Sequence, residues 1–146
     1  MLQIKNLNLT HKKDLRVILS EFNLVLNKGD KAVIIGEEGN GKSTLMKWIY
    51  NPLLIDNYIE AEGERLVGKE ILGYLPQEIS EEDKGKTIYE FFSEEEMFWN
   101  RTPKELSEIA GKFGMTSEFF YSEQKMGSLS GGEKVKTGLM RLFIQD

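Results

Sequence analysis

Eight residues in the first third of the chain, Gly36 to Ser43 (GEEGNGKS), have the types and the spacing of a phosphate-binding loop. They fit the pattern G-x-x-x-x-G-K-[ST] at every fixed position. The glycines allow positive φ and close approach of the backbone, so that successive N–H groups can point at an anion. Lys42 adds a full positive charge for the β- and γ-phosphates, and the Ser43 hydroxyl can hold Mg²⁺. The sequence therefore predicts a nucleoside triphosphate site.

A second stretch with phosphate-binding character begins at Leu129 (LSGGE). Ser130 and Glu133 have the spacing of a capping box, which predicts that a helix starts here. Gly131 and Gly132 then occupy the first two helical positions, where each costs about 1 kcal/mol relative to alanine. Such a pair is expected where a ligand must come close to the helix N-terminus, and an anion is the natural ligand there.

The phosphate loop needs a strand before it and a helix after it, and its flanks predict both. The apolar run Ala32 to Ile35 indicates a short buried strand. The helix after the loop should end near Tyr50, because Asn51-Pro52 follows and proline disfavours a helical residue before it.

The other strand signals lie on both sides of this unit. Residues 2–30 predict an antiparallel β layer built from three candidate strands, and residues 53–70 look irregular apart from one short possible strand. Residues 70–75 (EILGYL) predict a further strand, which would form a partial parallel core with residues 31–35. The expected fold class is α/β.

After Gln77 the signals become helical. Thr87 to Glu90 and Thr102 to Glu105 are both capping-box starts, so a helical subdomain is expected over roughly residues 87–128. Its aromatic residues could form a nucleic-acid stacking surface, but without interleaved basic residues a hydrophobic core is the favoured interpretation. On the last helix, an apolar face is expected from Val135, Leu139, Leu142 and Phe143.

Composition limits the remaining classes of protein. The chain has 146 residues, 40% of them hydrophobic, and a net charge of −5. No basic arm for nucleic acid is present, so no direct DNA binding is expected. There are no cysteines, and no apolar run approaches the length of about 20 residues that a membrane span needs. A cytoplasmic location is expected, with any membrane role passing through a partner chain.

Taken together, the motifs resemble those of ATP-binding cassette (ABC) ATPases. GEEGNGKS is similar to the Walker A loop of that family, and LSGGE matches its signature motif letter for letter. Between them, Gln77 in YLPQE stands where the family's Q-loop glutamine belongs. The resemblance covers essentially the whole chain and implies a P-loop NTPase fold of ABC type, truncated before Walker B.

The resemblance also implies a role for each matching position. Lys42 and the loop amides would bind the β- and γ-phosphates of ATP, Ser43 would ligate Mg²⁺, and Thr44 would touch the α-phosphate. Gln77 would complete the Mg²⁺ shell and orient water, so Lys42 and Gln77 are the implied catalytic residues. Ser130 and Gly132 would cap the γ-phosphate of ATP held by a second cassette, because these ATPases close head to tail around two nucleotides. The full implied binding set is His11, Gly36, Glu37, Glu38, Gly39, Asn40, Gly41, Lys42, Ser43, Thr44, Ser130, Gly131 and Gly132.

Two departures from the family pattern matter. Where the family usually stacks an aromatic side chain on adenine, this sequence has His11, for which stacking on adenine and an ordinary surface position both stay open. The sequence also reaches Asp146 without a strand ending in Asp-Glu (Walker B), a D-loop or a switch histidine. We therefore expect a single incomplete nucleotide-binding domain, which is active as an ATPase only in the intact protein. Its expected parts are 1–78 (β layer and phosphate-loop core), 79–128 (helical subdomain) and 129–146 (signature helix).

The branch of the family has two main interpretations. The stretch SLSGGEKVKTGLMRLFIQD resembles the ABC-F proteins, which are soluble tandem cassettes acting on the ribosome, because Lys134 and Lys136 follow the signature. The alternative is the ATP-binding subunit of a membrane transporter, which would pair with a transmembrane subunit. A nucleotide-responsive module that binds without turnover is a third possibility. In the first two cases a second cassette, in the same chain or in a homodimer, is the expected partner.

Overall fold

A computed structural model describes residues 1–39 and 41–146 of the chain. It divides into two compact units, Met1–Tyr74 and Leu75–Asp146. Each unit is described by itself below. No helix among the described residues combines the length and apolar character that crossing a membrane requires.

The first unit is built on a three-stranded antiparallel sheet. Its strands are β1 (Leu2–His11), β2 (Val17–Leu26) and β3 (Ile59–Val67), with β1 in the centre of the order β2-β1-β3. The expected antiparallel layer is thus confirmed. Two of the candidate strands are in fact one continuous β2, and β3 lies in a region that was expected to be mostly irregular.

The alternation of buried apolar residues along β1 is interrupted by one extra residue, which the sheet accommodates with a β-bulge. Leu2 and Ile4 are buried, then Leu7 and Leu9, so the period of two breaks between the pairs. At the break Asn6 adopts a φ of 49°, a left-handed conformation that asparagine tolerates well. The register shifts there against both neighbouring strands, as a β-bulge does. Ile4, Leu7 and Leu9 consequently pack in one hydrophobic core although they lie on both sides of the break.

One helix packs on this sheet. α1 (Lys42–Tyr50) buries Leu45 and Trp48 against the apolar face of β1, and it ends before Asn51-Pro52 as expected. Pro52–Leu54 then form a single 3₁₀ turn, and the Asn51 side chain accepts a hydrogen bond from Leu53 N at 3.1 Å.

The prediction of two core strands is wrong. Residues 31–35 and 70–75 have no strand structure, and the expected partial parallel sheet does not occur among the described residues. Val33 is 83% exposed and Ile35 is 91% exposed. Apolar runs of this kind become strands when neighbouring strands satisfy their backbone groups and cover both faces. In the described residues every ladder bond of the sheet joins β1 to β2 or β3, so neither run has such a neighbour.

The second unit is helical. Its helices are α2 (Glu81–Lys84), α3 (Ile88–Ser93), α4 (Glu96–Asn100), α5 (Pro103–Lys112) and α6 (Gly131–Gln145). Complete capping boxes start α3, α5 and α6, which confirms all three predicted helix starts. Gly114 has a φ of 71° after α5, and Met115 N donates to Ala110 O at 3.0 Å, which closes the helix with a Schellman motif.

Aromatic side chains form the core of this unit, as the sequence predicts. Phe92 and Phe120 are fully buried and meet edge to face with ring centroids 4.8 Å apart. On α6, however, the buried residues are Thr137, Met140 and Ile144, and the predicted apolar face through Val135 and Phe143 is half exposed. α6 can bury the face that contains Thr137 because the Thr137 hydroxyl donates a hydrogen bond to Glu133 O at 2.7 Å, so no buried polar group is left unpaired there.

Candidate functional site

The start of α1 is the first part of the candidate site. Gly41 is its N-cap, in the left-handed conformation with φ 78° and ψ 14°, and no side chain caps the helix. Leu45 N donates to Gly41 O at 2.9 Å. The N–H groups of the three residues between them belong to the first turn, where an α-helix offers no internal acceptor. An anion placed here would meet both these donors and the positive end of the helix dipole.

Lys42 is held over the loop by the loop's own backbone. Its ammonium group donates to Gly36 O at 2.6 Å and to Glu37 O at 2.5 Å. The loop backbone therefore folds back on the ammonium group of the first helical residue. Ser43 is exposed and Thr44 is partly exposed in the same turn. These positions can present one ammonium and two hydroxyl groups to a phosphate.

The glycines of the loop serve different needs. Gly39 has a φ of 82° with open space where a side chain would project. At Gly41, with a φ of 78°, a Cβ atom would overlap the Cγ2 methyl of Ile18 on β2. Gly41 is thus required both by its conformation and by close packing against the sheet. Asn40, which belongs to the predicted binding set, lies outside the described residues.

Arg65 is a supporting residue that the sequence analysis missed. From β3 its guanidinium donates to Ile49 O at 2.7 Å and to Tyr50 O at 3.0 Å. These carbonyls end α1, where a cation also interacts favourably with the helix dipole. Arg65 therefore ties the far end of the phosphate-loop helix to the sheet. The sequence predicts a short possible strand around Arg65, but the spacing of its residues does not show that the guanidinium group would reach the end of α1.

His11 ends β1 and is half buried. Its ring centroid lies 6.2 Å from that of Tyr58, and its Nδ1 atom is 3.8 Å from Asp14 Oδ1. Nδ1 is buried without a hydrogen-bond partner among the described residues. The His11 ring thus packs near Tyr58 in a tilted arrangement, and the stacking of His11 on adenine stays a prediction.

The signature residues form the second part of the candidate site, at the start of α6. Ser130 Oγ accepts a hydrogen bond from Glu133 N at 3.2 Å, and Glu133 Oε1 accepts one from Ser130 N at 2.9 Å. This backbone hydrogen bond holds the pKa of Glu133 below its ordinary value. A Cβ atom on Gly131 or Gly132 would meet nothing within 4 Å. Packing within the described residues therefore does not require either glycine.

The predicted site residues fall into two groups. The described residues of the phosphate loop come together around the start of α1 in the first unit. The signature residues lie at the start of α6 in the second unit. Gln77 belongs to the same unit but lies in an exposed, irregular stretch near its first residue. Among the described residues no group of three or more acidic, histidine or cysteine side chains could hold a metal. A Mg²⁺ ion would need oxygen ligands from a hydroxyl, a bound phosphate and water.

Comparison with known proteins gives a consistent family match. The family model described as ABC transporter matches residues 19–146. Similar proteins include the putative ATP-binding protein YdiF of Bacillus subtilis, which is 28% identical over 99% of this chain and 21% of its own length. ABC transporter F family member 2 of Arabidopsis thaliana is 27% identical over 94% of this chain and 20% of its own. The zinc transport system ATP-binding protein AdcC of Streptococcus pneumoniae is 26% identical, over 91% of this chain and 61% of its own. The chain spans about a fifth of the length of the first curated relatives that it matches.

Proposed function

Since this chain belongs to the ABC transporter ATP-binding family, we propose that its residues bind ATP with Mg²⁺ as part of a cassette that hydrolyses ATP in the intact protein. The observation that carries this proposal is the start of α1. An uncapped helix N-terminus, the left-handed Gly41 and the first helical residue Lys42, whose ammonium group contacts the loop backbone, lie next to one another in the chain. This combination suits a polyphosphate better than it suits a single weak anion.

We propose the roles that the family resemblance implies for these residues. The first-turn amides would hold the phosphate oxygens, and the Lys42 ammonium group would bind the β- or γ-phosphate in place of a loop carbonyl. The Ser43 hydroxyl and the Gln77 side chain would ligate Mg²⁺, which neutralises phosphate charge when it is bound. Lys42 and Gln77 are thus the proposed catalytic residues, one by charge and one by positioning water. Thr44 would contact the α-phosphate, and His11 would lie beside the adenine.

The signature residues are proposed to act on a second cassette. The Ser130 hydroxyl and the Gly131–Gly132 backbone would cap the γ-phosphate of ATP bound to the partner. Support comes from the exposed glycine pair, which no packing contact within the described residues requires. Ser130→Arg should therefore block turnover in the intact protein while sparing single-site binding.

We further propose that residues 1–146 by themselves bind nucleotide without turning it over. The phosphate loop supplies binding groups, while a positioned general base is worth about 10²–10⁴-fold in rate. We assign no residue of the proposed binding set to this role, since His11 is assigned to the adenine and Glu37 and Glu38 to the phosphate loop. Phosphate release that Lys42→Ala abolishes would show that one exists in this chain.

Calorimetric titration with ATP and Mg²⁺ tests the proposed binding. Lys42→Ala should weaken binding at least tenfold, because it removes a charge-assisted contact worth about 1.5–3 kcal/mol. Lys47→Ala is the matched control, since it removes the same charge from the same helix one turn or more from the loop. Equal losses in the two variants would mean that only the overall charge matters, and the loop assignment would then be wrong.

For the branch of the family, we propose an ABC-F-like protein that acts on the ribosome, in the cytoplasm. The similarity to ABC transporter F family member 2 supports it, together with Lys134 and Lys136 after the signature. The second candidate is the ATP-binding subunit of a membrane transporter, which the similarity to AdcC favours. Co-sedimentation of the intact protein with ribosomes in ATP should succeed for the first candidate. Co-purification with a membrane subunit instead would establish the second.

A further inference from the structure

The second unit leaves two large aromatic side chains at its surface. Trp99 on α4 is 61% exposed, and Tyr121, at the end of the 3₁₀ turn Ser117–Tyr121, is 56% exposed. The phenylalanines beside them, Phe92, Phe98 and Phe120, are buried. Exposed tryptophan and tyrosine residues are the side chains in which binding energy concentrates at protein interfaces.

These two side chains rest on the same two rings. Trp99 lies 6.4 Å from Tyr89 and 5.4 Å from Phe98, measured between ring centroids. Tyr121 lies 5.9 Å from Tyr89 and 6.0 Å from Phe98. The indole N–H of Trp99 also donates to Ser93 O at 2.9 Å, which fixes the ring. We call Tyr89, Trp99 and Tyr121 the aromatic patch. Because these rings are already held in place, ordering them on binding would cost little conformational entropy.

Carboxylates without ion-pair partners lie on the same faces as the exposed rings. Glu96 precedes Trp99 by three residues on α4, which places the two side chains about one turn apart. Glu118 precedes Tyr121 by three residues in a 3₁₀ turn, where such residues eclipse. Neither glutamate takes part in a salt bridge within the described residues, whereas Glu94 and Glu95 nearby are both paired with basic side chains.

The net charge of the second unit also favours a cationic ligand. Residues 75–146 contain fourteen Asp and Glu against nine Lys and Arg, while residues 1–74 contain ten of each. The net charge of −5 therefore belongs wholly to the unit that carries the aromatic patch. A negative surface repels nucleic-acid phosphates and attracts cations, so stacked bases are not the ligand that this patch suits.

We propose that the aromatic patch is a docking surface for a basic peptide segment of a partner protein. An arginine side chain of the segment would lie on the ring of Trp99 or Tyr121 and pair with Glu96 or Glu118. A guanidinium group suits this arrangement because it stacks on aromatic faces and presents a planar fork to a carboxylate. The proposal does not depend on nucleotide binding, which it places in the other unit.

Calorimetric titration of the full chain with a short peptide of alternating arginine and glycine tests this inference. We expect saturable binding at one peptide per chain, weaker binding of the matched lysine peptide and none of the glutamate peptide. Trp99→Ala should weaken binding about tenfold, as truncation of a central aromatic residue typically does. Raising the salt concentration should also weaken it, because the carboxylates lie at the surface.

Charge-matched variants separate a specific surface from general attraction. Glu96→Gln should weaken binding about threefold, in the range of an exposed charge pair. Glu108→Gln on α5 removes the same charge elsewhere on the unit and should leave binding unchanged. Both changes lie at the surface, so the test remains valid even if Trp99→Ala unfolds. Equal effects of the two glutamate variants, or no peptide binding at all, would overturn the proposal. Oligouridylate binding that Trp99→Ala abolishes would also overturn it and would identify an RNA surface.

Discussion

Replacing Gly41 with alanine should destabilise the first unit through two separate effects. The left-handed conformation, with a φ of 78°, costs an alanine about 1 kcal/mol. The added Cβ atom would also overlap the Cγ2 methyl of Ile18. Ile18 is β-branched and stiff at χ1, so relief requires movement of β2 or α1, and overpacking of this kind costs about 1–3 kcal/mol. Gly41→Ala should therefore cost about 2–4 kcal/mol in total.

Gly39→Ala is the matched control for the conformational effect. Gly39 has a similar φ of 82° but open space around its Cα, so the substitution should cost only about 1 kcal/mol. Urea unfolding followed by tryptophan fluorescence measures both values. Trp48 is buried in the first unit and reports its unfolding, whereas Trp99 in the second unit is already exposed.

The steric effect can be tested by changing its partner. Ile18→Ala removes the Cγ2 methyl and should recover at least 1 kcal/mol of the Gly41→Ala loss in a double-mutant cycle. Ile18→Val keeps that methyl and should recover nothing. If Gly41→Ala were no more destabilising than Gly39→Ala, or if Ile18→Val rescued it as well as Ile18→Ala, the packing described for the loop would be wrong.

Three further predictions concern the scaffold. Gly63→Ala should destabilise the sheet by at least about 2 kcal/mol, because its Cβ atom would lie 2.7 Å from Leu7 Cα on the central strand; urea unfolding of the first unit measures it. Phe92→Ala should cost the helical unit about 3–5 kcal/mol, visible as a loss of its thermal transition, since the ring is fully buried among other aromatic rings. The helical unit should also lose stability in acid, because each capping-box glutamate has a pKa below its ordinary value of 4.5. An ionised glutamate whose pKa is lowered in the folded state stabilises the fold at pH values above its ordinary pKa. This stabilisation is lost as the pH falls through the pKa of the folded state. The melting temperature should therefore decline below about pH 4.5, and Glu133→Gln should reduce the decline.

Local sequence signals predicted the helices of this protein well. The three capping boxes, at Thr87, Thr102 and Ser130, depend only on side chains within four residues of one another. The end of α1 before Asn51-Pro52 and the cap at Gly114 are equally local. Features of this kind are encoded in a few neighbouring residues, so tertiary contacts rarely override them.

Strands were predicted less well because their partners lie far away in the chain. Residues 31–35 have the composition of a buried strand, yet they form no ladder in the described residues. β3 was predicted only in part, as one short possible strand within residues 53–70, because the alternating charges of IEAEGERLV hide the pattern of a strand at the sheet edge. The apolar face of α6 was misassigned for a related reason, since Thr137 takes a buried position by satisfying its own hydroxyl.

The residues of the candidate phosphate loop could be named from the sequence, and their roles in binding stay predictions, but the geometry of the loop could not be predicted. The fixed positions of the phosphate loop state which groups are needed, and the structure places the described ones at one helix start. The contact between Gly41 and Ile18 and the anchoring of α1 by Arg65 depend on the sheet and could not be inferred from spacing.

The most direct test of the central claim is to map ATP binding residue by residue on the isotopically labelled chain. Amide chemical shifts should be recorded while ATP and Mg²⁺ are added. We expect the largest changes at the phosphate loop and the first turn of α1, residues 36–44, and none on α5, which lies in the other unit. Changes that are absent at millimolar ATP, or that are largest away from this loop, would contradict the proposal that these residues bind nucleotide.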